Sequence, residues 1–374
     1  MYHEASVNSM SEIFLKLQRV RQFLAKRKFS AALLGNQNNF SWITGGKNAH
    51  VVLASEAAIA GILVTSRHAH VLTNATEHPR LYAEEITPAQ FQPLVHPWYE
   101  ADSAKKLIKK VVGKGIVVSD NGAYGTRNMG GILARLRWQL LPEEIKRYRE
   151  VGAAAIQCLE TVCCKIKPGT TEYDIASDLG WLILSKGALP HLILVATDER
   201  IIHFRHPIPQ SKKLRRHAML VVCVKKYGLI ANATRLVHFG KLPRELRGKH
   251  NAVCRVDTAF NMSTCVGYPA SMIFRAGMHA YAREGFVNEW KLHHQGGATG
   301  YTGREWFGSP GCKEVVLENQ AFAWNPSITG TKSEDTVLVR KDGLEILTPS
   351  SNRWPMVHVH HADGCIERPD ILVR

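Results

Sequence analysis

The stretch AWNPSITGTKSEDTVLV, from Ala323 to Val339, decides how the second half of the chain folds. Two short apolar runs flank a turn that contains Gly330, which is typical of paired strands. Each run lies beside one conspicuous polar side chain, Asn325 before a proline and Glu334 before an aspartate. Side chains that face each other on adjacent strands often hold a metal or a substrate. Because an amide supplies no charge to a cation, the pair is only half acidic.

The segments before this stretch alternate between helical and extended patterns. Helices are predicted at 141–166 and 171–188 and at about 245–262, and the strands HLILVAT, HAMLVVCV and GLIANAT lie between the last two. This order predicts an α+β domain with a curved sheet that helices cover on one face.

The first part of the chain has a different pattern. Residues 11–28 have helical spacing of apolar side chains, and apolar, strand-forming runs then alternate with helical ones as far as residue 122. This alternation predicts an α/β domain with a mixed sheet. We therefore predict two domains, 1–138 and 139–374. Neither contains GxGxxG or GxxxxGK[ST], so nucleotide binding by those devices is not expected.

Composition indicates a soluble globular protein. The 374 residues are 45% hydrophobic and 21% charged, and the longest apolar runs fall short of the roughly 20 residues that cross a bilayer. The N-terminus does not resemble a signal peptide, so we predict a cytoplasmic protein with no membrane partner. The net charge of +16 attracts anions, but the basic clusters lack aromatic or zinc-finger motifs. A nucleic-acid partner is therefore compatible with the charge but not favoured.

The cysteines and the C-terminal histidines are weaker candidates for a catalytic nucleophile and a metal site. The eight cysteines form no CxxC pair, which predicts reduced and mostly buried thiols. Cys223 lies among valines, so a buried strand position is favoured over a nucleophile. His358 and His360 fall on one face of a predicted strand, but no third metal ligand is evident beside them.

Several blocks together resemble the creatinase/prolidase/aminopeptidase P family. In chain order they are EEI, PGTTE, the HP of IIHFRHPIPQ, YGLIANATR, KLHHQGGATGYTGRE, FAWNPSITG and EDTVLV. The resemblance covers essentially the whole chain. It implies an α+β pita-bread catalytic domain at the C-terminus, preceded by a smaller α/β creatinase-type domain. It also implies a homodimer.

Metallopeptidases of that family bind two metal ions through two aspartates, one histidine and two glutamates. Carried over, the second aspartate is Asn232 and the first glutamate is Asn325. The first aspartate should lie about eleven residues before Asn232, where Val221, Val222 and Cys223 supply no carboxylate. Only Glu334 and a histidine, His293 or His294, are retained, so the resemblance implies neither a metal nor another cofactor.

Creatinase, a metal-free member of the family, provides the closer analogy. GYTGRE (300–305) is similar to the block that follows the family histidine in creatinase, and His206 matches the histidine of the HP block. The resemblance implies catalytic roles for His206, His293, His294 and Glu334. It implies substrate-binding roles for Asn232, Asn325, Tyr301, Arg304 and Arg205.

We therefore expect metal-independent hydrolysis of a C–N bond, amidino, ureido or amide, in a small polar substrate by histidine acid/base catalysis. The basic surface favours an anionic substrate, because Arg304 or Arg205 can hold a carboxylate through two parallel hydrogen bonds. Two alternatives stay open. One is an inactive pita-bread protein that binds an acidic or nucleic-acid partner, and the other is an Xaa-Pro-type aminopeptidase with a degenerate metal site.

Overall fold

The computed structural model describes residues 2–362 and 364–374, with side chains from residue 12 onwards. These residues form two compact units. The first extends to Glu144 and includes Tyr227–Leu229, and the second consists of Ile145–Lys226 and Ile230–Arg374. No helix in the described part of the chain is long and apolar enough to cross a membrane.

The first unit is built on a mixed sheet, as its sequence pattern predicts. Its elements are α1 (Tyr2–Arg27), β1 (Ala31–Asn36), α2 (Gln37–Ile43), β2 (Ala57–Thr65), β3 (Ala69–Asn74), α3 (His78–Arg80), β4 (Gln92–His96), α4 (Ser103–Val112), β5 (Val117–Ser119), β6 (Arg127–Asn128) and α5 (Gly130–Ala134). The six strands have the order β4-β3-β2-β1-β5-β6. Strand β1 pairs antiparallel with β2 and parallel with β5.

Apolar side chains from both sheet and helix form the core of this unit. Leu33, Leu63 and Leu72 on neighbouring strands pack with Ala104 and Ile108 of α4. The opposite side of α4 carries lysines, so this amphipathic helix covers the sheet with one face and meets solvent with the other.

The second unit contains several helices of fourteen residues or more and two main sheets. Its elements are α6 (Pro142–Lys165), α7 (Glu172–Ser185), β7 (Leu189–Thr197), α8 (Glu199–His203), β8 (His217–Lys226), β9 (Leu229–His238), α9 (Arg244–Met262), α10 (Ala270–Arg283), β10 (Gly296–Thr299), β11 (Trp306–Phe307), β12 (Ala321–Trp324), β13 (Ser327–Ile328), β14 (Thr331–Lys332), β15 (Val337–Arg340), β16 (Gly343–Ile346), β17 (Met356–His361), β18 (Gly364–Pro369) and β19 (Leu372–Val373). The sheets have the orders β11-β10-β12-β15-β16 and β19-β9-β8-β7.

Local signals in the sequence fix several of these elements. Thr171 caps α7 in a capping box with Asp174, which satisfies two backbone N–H groups at the start of the helix. Gly277 of α10 lies so close to the ring of Phe260 on α9 that a Cβ atom would overlap the ring. The helix predicted at about 245–262 is confirmed as α9.

Successive side chains of β9 point to opposite faces of the strand, and each face has its own polar contacts. Thr234 donates to Glu334 at 2.7 Å, whereas the next residue, Arg235, donates to Asp335 at 3.0 Å. Because neighbouring side chains on extended backbone point to opposite faces, Thr234 and Glu334 share one side and Arg235 and Asp335 share the other. The site described below lies on the side of Glu334.

The expectation of mostly buried cysteines was wrong. Only Cys158, Cys163 and Cys254 are buried, and three others are exposed (Cys164, Cys265 and Cys365). None of the eight cysteines, all of which are described, forms a disulfide. The exposed ones lie near helix ends or in the terminal hairpin, where neighbouring apolar side chains do not enclose them.

Candidate active site

Glu334 is the centre of a small buried ion cluster. Its Oε2 accepts from Lys332 Nζ at 2.7 Å and from Thr234 Oγ1 at 2.7 Å, and its Oε1 accepts from Arg304 Nη2 at 3.1 Å. The side chains of Lys332, Arg304 and Glu334 are 6%, 8% and 2% exposed. Two cations therefore surround one carboxylate in a place that water hardly reaches.

These cations keep Glu334 ionised. Burial alone would raise the pKa of Glu334, but the charges of Lys332 and Arg304 and the hydrogen bonds to its oxygens lower that pKa to about 2. An ionised carboxylate can hold a planar, cationic group such as a guanidinium. In the structure the planar cation that it holds is the protein's own Arg304.

The two asparagines that replace acidic residues are buried and incompletely hydrogen bonded. Asn232 is fully buried, and its Nδ2 donates to Thr299 Oγ1 at 3.2 Å. Asn325 is 3% exposed. The Oδ1 atom of each asparagine has no hydrogen-bond partner among the described residues. Buried polar atoms are nearly always paired with protein, water or a ligand, so these oxygens mark places for a polar partner.

Three imidazoles converge in the same unit. His206 Nε2 lies 2.9 Å from His293 Nε2, and the rings of His293 and His294 stack with centroids 4.3 Å apart. His206 is exposed, whereas His293 is 9% exposed and its Nδ1 has no partner within the described chain. The geometry brings all three predicted histidines together.

The ion cluster acts on all three rings. Burial is the main cause that lowers the pKa of His293 to about 2 and that of His294 to about 4. His206 reaches solvent, but neighbouring atoms cover part of its ring, and this partial desolvation together with the charge of Lys332 lowers its pKa. All three imidazoles are therefore neutral at pH 7.

Val221, Val222 and Cys223 were the three residues that the sequence offered at the position of the first aspartate, and the structure distinguishes Cys223 from the other two. The family spacing pointed to Val221, which lies in an apolar core cluster with Leu194 and Met219. Strands β8 and β9 are joined by only two residues, Tyr227 and Gly228, both with positive φ, and this tight hairpin places Cys223 opposite Asn232.

The environment of Cys223 makes it a poor nucleophile. Burial, followed by the charge of Glu334, raises the pKa of its thiol to about 12. A thiol with this pKa stays protonated at neutral pH. The two-residue turn at Tyr227 and Gly228 is the signal in the sequence that could have distinguished Cys223 from the two valines.

Two other predicted substrate-binding residues contact glutamates other than Glu334. Arg205 pairs with Glu289 at 2.6 Å and also donates to Thr329 Oγ1 at 2.8 Å, so its guanidinium stabilises the fold locally. Tyr301 is 1% exposed, and its backbone N–H donates to Glu305. The contacts of Arg304, in contrast, place it directly on Glu334.

The donor set does not fit the pair of divalent ions that the family fold implies. Two such ions need several carboxylates to offset their mutual repulsion, but Asn232 and Asn325 are neutral and Glu334 is already held by two cations. Among the described residues, the imidazoles of His206, His293 and His294 are the one group close enough to share a single ion, with nitrogen atoms within 4.8 Å of one another. The positive charges of the neighbouring ion cluster oppose a further cation there.

Comparisons with known proteins agree with this fold. Residues 146–341 match the profile of metallopeptidase family M24, and residues 16–122 match that of the creatinase/prolidase N-terminal domain. The chain therefore belongs to metallopeptidase family M24, and the predicted family and fold, a pita-bread domain after a creatinase-type domain, are confirmed.

Individual relatives are distant. An uncharacterized peptidase of Staphylococcus aureus (strain MW2) is 20% identical over 298 residues, which are 72% of this chain and 83% of that protein. The Xaa-Pro dipeptidase from Bacillus anthracis superposes with a TM-score of 0.78 at 16% identity, covering 97% of this chain and 100% of that one. The prolidase from Pyrococcus horikoshii OT3 gives 0.75 at 17% identity, with coverages of 90% and 99%. These structural similarities show the fold alone.

Proposed function

We propose that this protein hydrolyses an amide or ureido C–N bond of a small polar substrate by histidine acid/base chemistry, without a dinuclear metal centre. The observation that carries the proposal is the set of buried, unpartnered polar atoms on the site residues. Asn232 Oδ1, Asn325 Oδ1 and His293 Nδ1 all lack partners within the described residues. A site that had only decayed would gain apolar side chains there, because unpaired buried polar atoms destabilise a fold.

The histidines have distinct parts in this proposal. His206 is exposed to solvent, and its Nε2 lies 2.9 Å from His293 Nε2, so one N–H lies between the two rings. His206 accepts a proton from the attacking water, whose oxygen adds to the carbonyl carbon. The proton then passes to the leaving nitrogen as the C–N bond breaks. His293 holds the tautomer of His206, and a ring N–H of His294 stabilises negative charge on the carbonyl oxygen.

The contacts of Glu334 narrow the class of substrate. A guanidinium substrate would compete with Arg304 for this carboxylate, whose oxygens already accept three hydrogen bonds. Amide and ureido groups carry neutral N–H donors instead, and these complement the free oxygens of Asn232 and Asn325. Amidino compounds are therefore the least favoured of the three predicted classes.

The test is a hydrolysis screen of amide, ureido and guanidino compounds by mass spectrometry. The protein is first treated with a chelator, and its residual metal is quantified. We expect a product that forms equally with and without the treatment, and a rate at least about 100-fold lower in His206→Ala. His358→Ala is the matched control, because His358 lies on an exposed strand of the terminal hairpin and should leave the rate unchanged.

Two results would contradict the proposal. Cleavage of a proline dipeptide that requires added manganese or cobalt would favour a metal-dependent peptidase with an unusual ligand set. An activity that does not change in His206→Ala would remove the proposed base. If no compound is cleaved under any condition, the alternative of a binding protein with this fold is favoured.

A further inference from the structure

The ion cluster of Lys332, Glu334 and Arg304 carries more positive than negative charge. Glu334 is the one carboxylate that pairs with either cation in the described part of the chain. One cation is enough to neutralise one carboxylate. The second leaves a surplus charge on side chains that are at least nine-tenths buried. A buried charge without a counter-charge destabilises a protein, so this surplus calls for an anion.

The cations also keep unused hydrogen-bond donors. The ammonium of Lys332 has three N–H bonds, and its contact with Glu334 uses one. The guanidinium of Arg304 has five, of which one reaches Glu334 and one reaches the carbonyl of Gly303. Its Nε is buried and has no partner among the residues described. Charged donors of this kind form strong hydrogen bonds with carboxylates.

The cluster lies next to the proposed acid/base group. The charges of Lys332, Arg304 and Glu334 all act on the ring of His206. Lys332 also pairs with Ser327 across the β13–β14 hairpin, and Ser327 Oγ accepts from Arg205, the residue before His206. An anion bound by the two cations would therefore lie in the same part of the unit as the imidazoles. Thr234, the remaining partner of Glu334, donates a further hydrogen bond to the carboxylate.

We infer that Lys332 and Arg304 bind a carboxylate of the substrate, so that the substrates are small acids that also carry an amide or ureido group. The placement of this acid at a reacting site rests on the function proposed above. The binding of the carboxylate itself does not, because it follows from the ion cluster.

The test compares two probes of similar size, N-carbamoylglycine and N-carbamoylglycinamide, by calorimetry at constant ionic strength. Both carry the ureido group, but only the first carries a carboxylate. We expect the wild-type protein to bind the acid at least about tenfold more tightly than the amide. Lys332→Met should reduce this preference to within about threefold, whereas Lys332→Arg, which keeps the charge, should retain it. Lys341→Met is the control, because Lys341 is 80% exposed.

Equal affinity of the wild-type protein for both probes, or binding of neither, overturns the inference whether or not the variants fold. So does a preference for the acid that Lys332→Met leaves intact. The binding measurement needs no turnover, and the two proposals therefore fail separately. Binding of the acid without hydrolysis of any compound would count against the proposed function alone, and hydrolysis of neutral amides without a preference for acids would count against this inference alone.

Discussion

Replacing Glu334 by glutamine tests whether the buried ion cluster stabilises the folded protein. The carboxyl pKa falls from an ordinary value of 4.5 to about 2 in the folded state. Each unit of difference corresponds to about 1.4 kcal/mol, so ionised Glu334 contributes about 3 kcal/mol to the free energy of unfolding at pH 7. Glu334→Gln removes this contribution and leaves Lys332 and Arg304 without a counter-charge, which adds to the loss.

The stabilisation by Glu334 should depend on pH in a definite direction. Because the folded pKa lies below the unfolded one, the stabilisation is complete above about pH 5.5 and decreases as the pH falls through 4.5 towards 2. We expect urea unfolding to show a difference of about 3 kcal/mol between wild type and Glu334→Gln at pH 7. By pH 3.5 the difference should be smaller by about 1 kcal/mol or more.

A surface ion pair supplies the matched control. Glu345 accepts from Arg149 at 2.5 Å, but the side chains are 29% and 53% exposed, so solvent screens the pair. Glu345→Gln should lower the free energy of unfolding by less than about 1 kcal/mol. A difference below about 1 kcal/mol for Glu334→Gln at pH 7, or one that is the same at pH 7 and pH 3.5, would refute the electrostatic reasoning.

Three further predictions concern single positions. Partial burial lowers the pKa of His206 below its ordinary value of 6.5. The loss of kcat/KM on the acid side of its pH profile should therefore have its midpoint below pH 6.5. A midpoint at or above this value would argue against His206 as the base. Cys223 should resist iodoacetamide at pH 8 while exposed Cys164 is alkylated, as peptide mass spectrometry can show; equal labelling would contradict the raised pKa of its thiol. A Cβ at Gly152 would overlap a backbone carbonyl oxygen, so Gly152→Ala should destabilise by about 2 kcal/mol or more in urea unfolding. The matched control is Gly248→Ala: Gly248 is helical with open space around it, so this substitution should instead stabilise by up to about 1 kcal/mol.

The fold could be predicted from the sequence, and so could the positions at which asparagines replace acidic metal ligands. Helix-start signals and apolar periodicity identified the main helices, and the blocks around Asn232, Asn325 and Glu334 identified the family. The position of Lys332 was also predictable in principle. It lies two residues before Glu334, and on extended backbone such side chains share a face.

Other parts of the site depend on contacts that one sequence does not reveal. Arg304 is thirty residues from Glu334 along the chain, and nothing in either segment shows that the two side chains meet. The sequence predicted Arg205 and Arg304 equally as arginines that bind a substrate carboxylate. In the structure Arg205 pairs with Glu289 instead. Pairing of charges over long sequence distances is set by how strands and loops pack, so spacing alone could not separate the two arginines.

The two cations at Glu334 are covalent parts of the chain, and this changes how the site is supplied with positive charge. A metal ion must be captured from the surroundings, and its occupancy falls when free metal is scarce or a chelator is present. Lys332 and Arg304 are synthesised in a fixed ratio to the carboxylate that they surround, and they stay with it for as long as the chain is folded. The charge at this position is therefore the same in every folded molecule, whatever the concentration of metal around it.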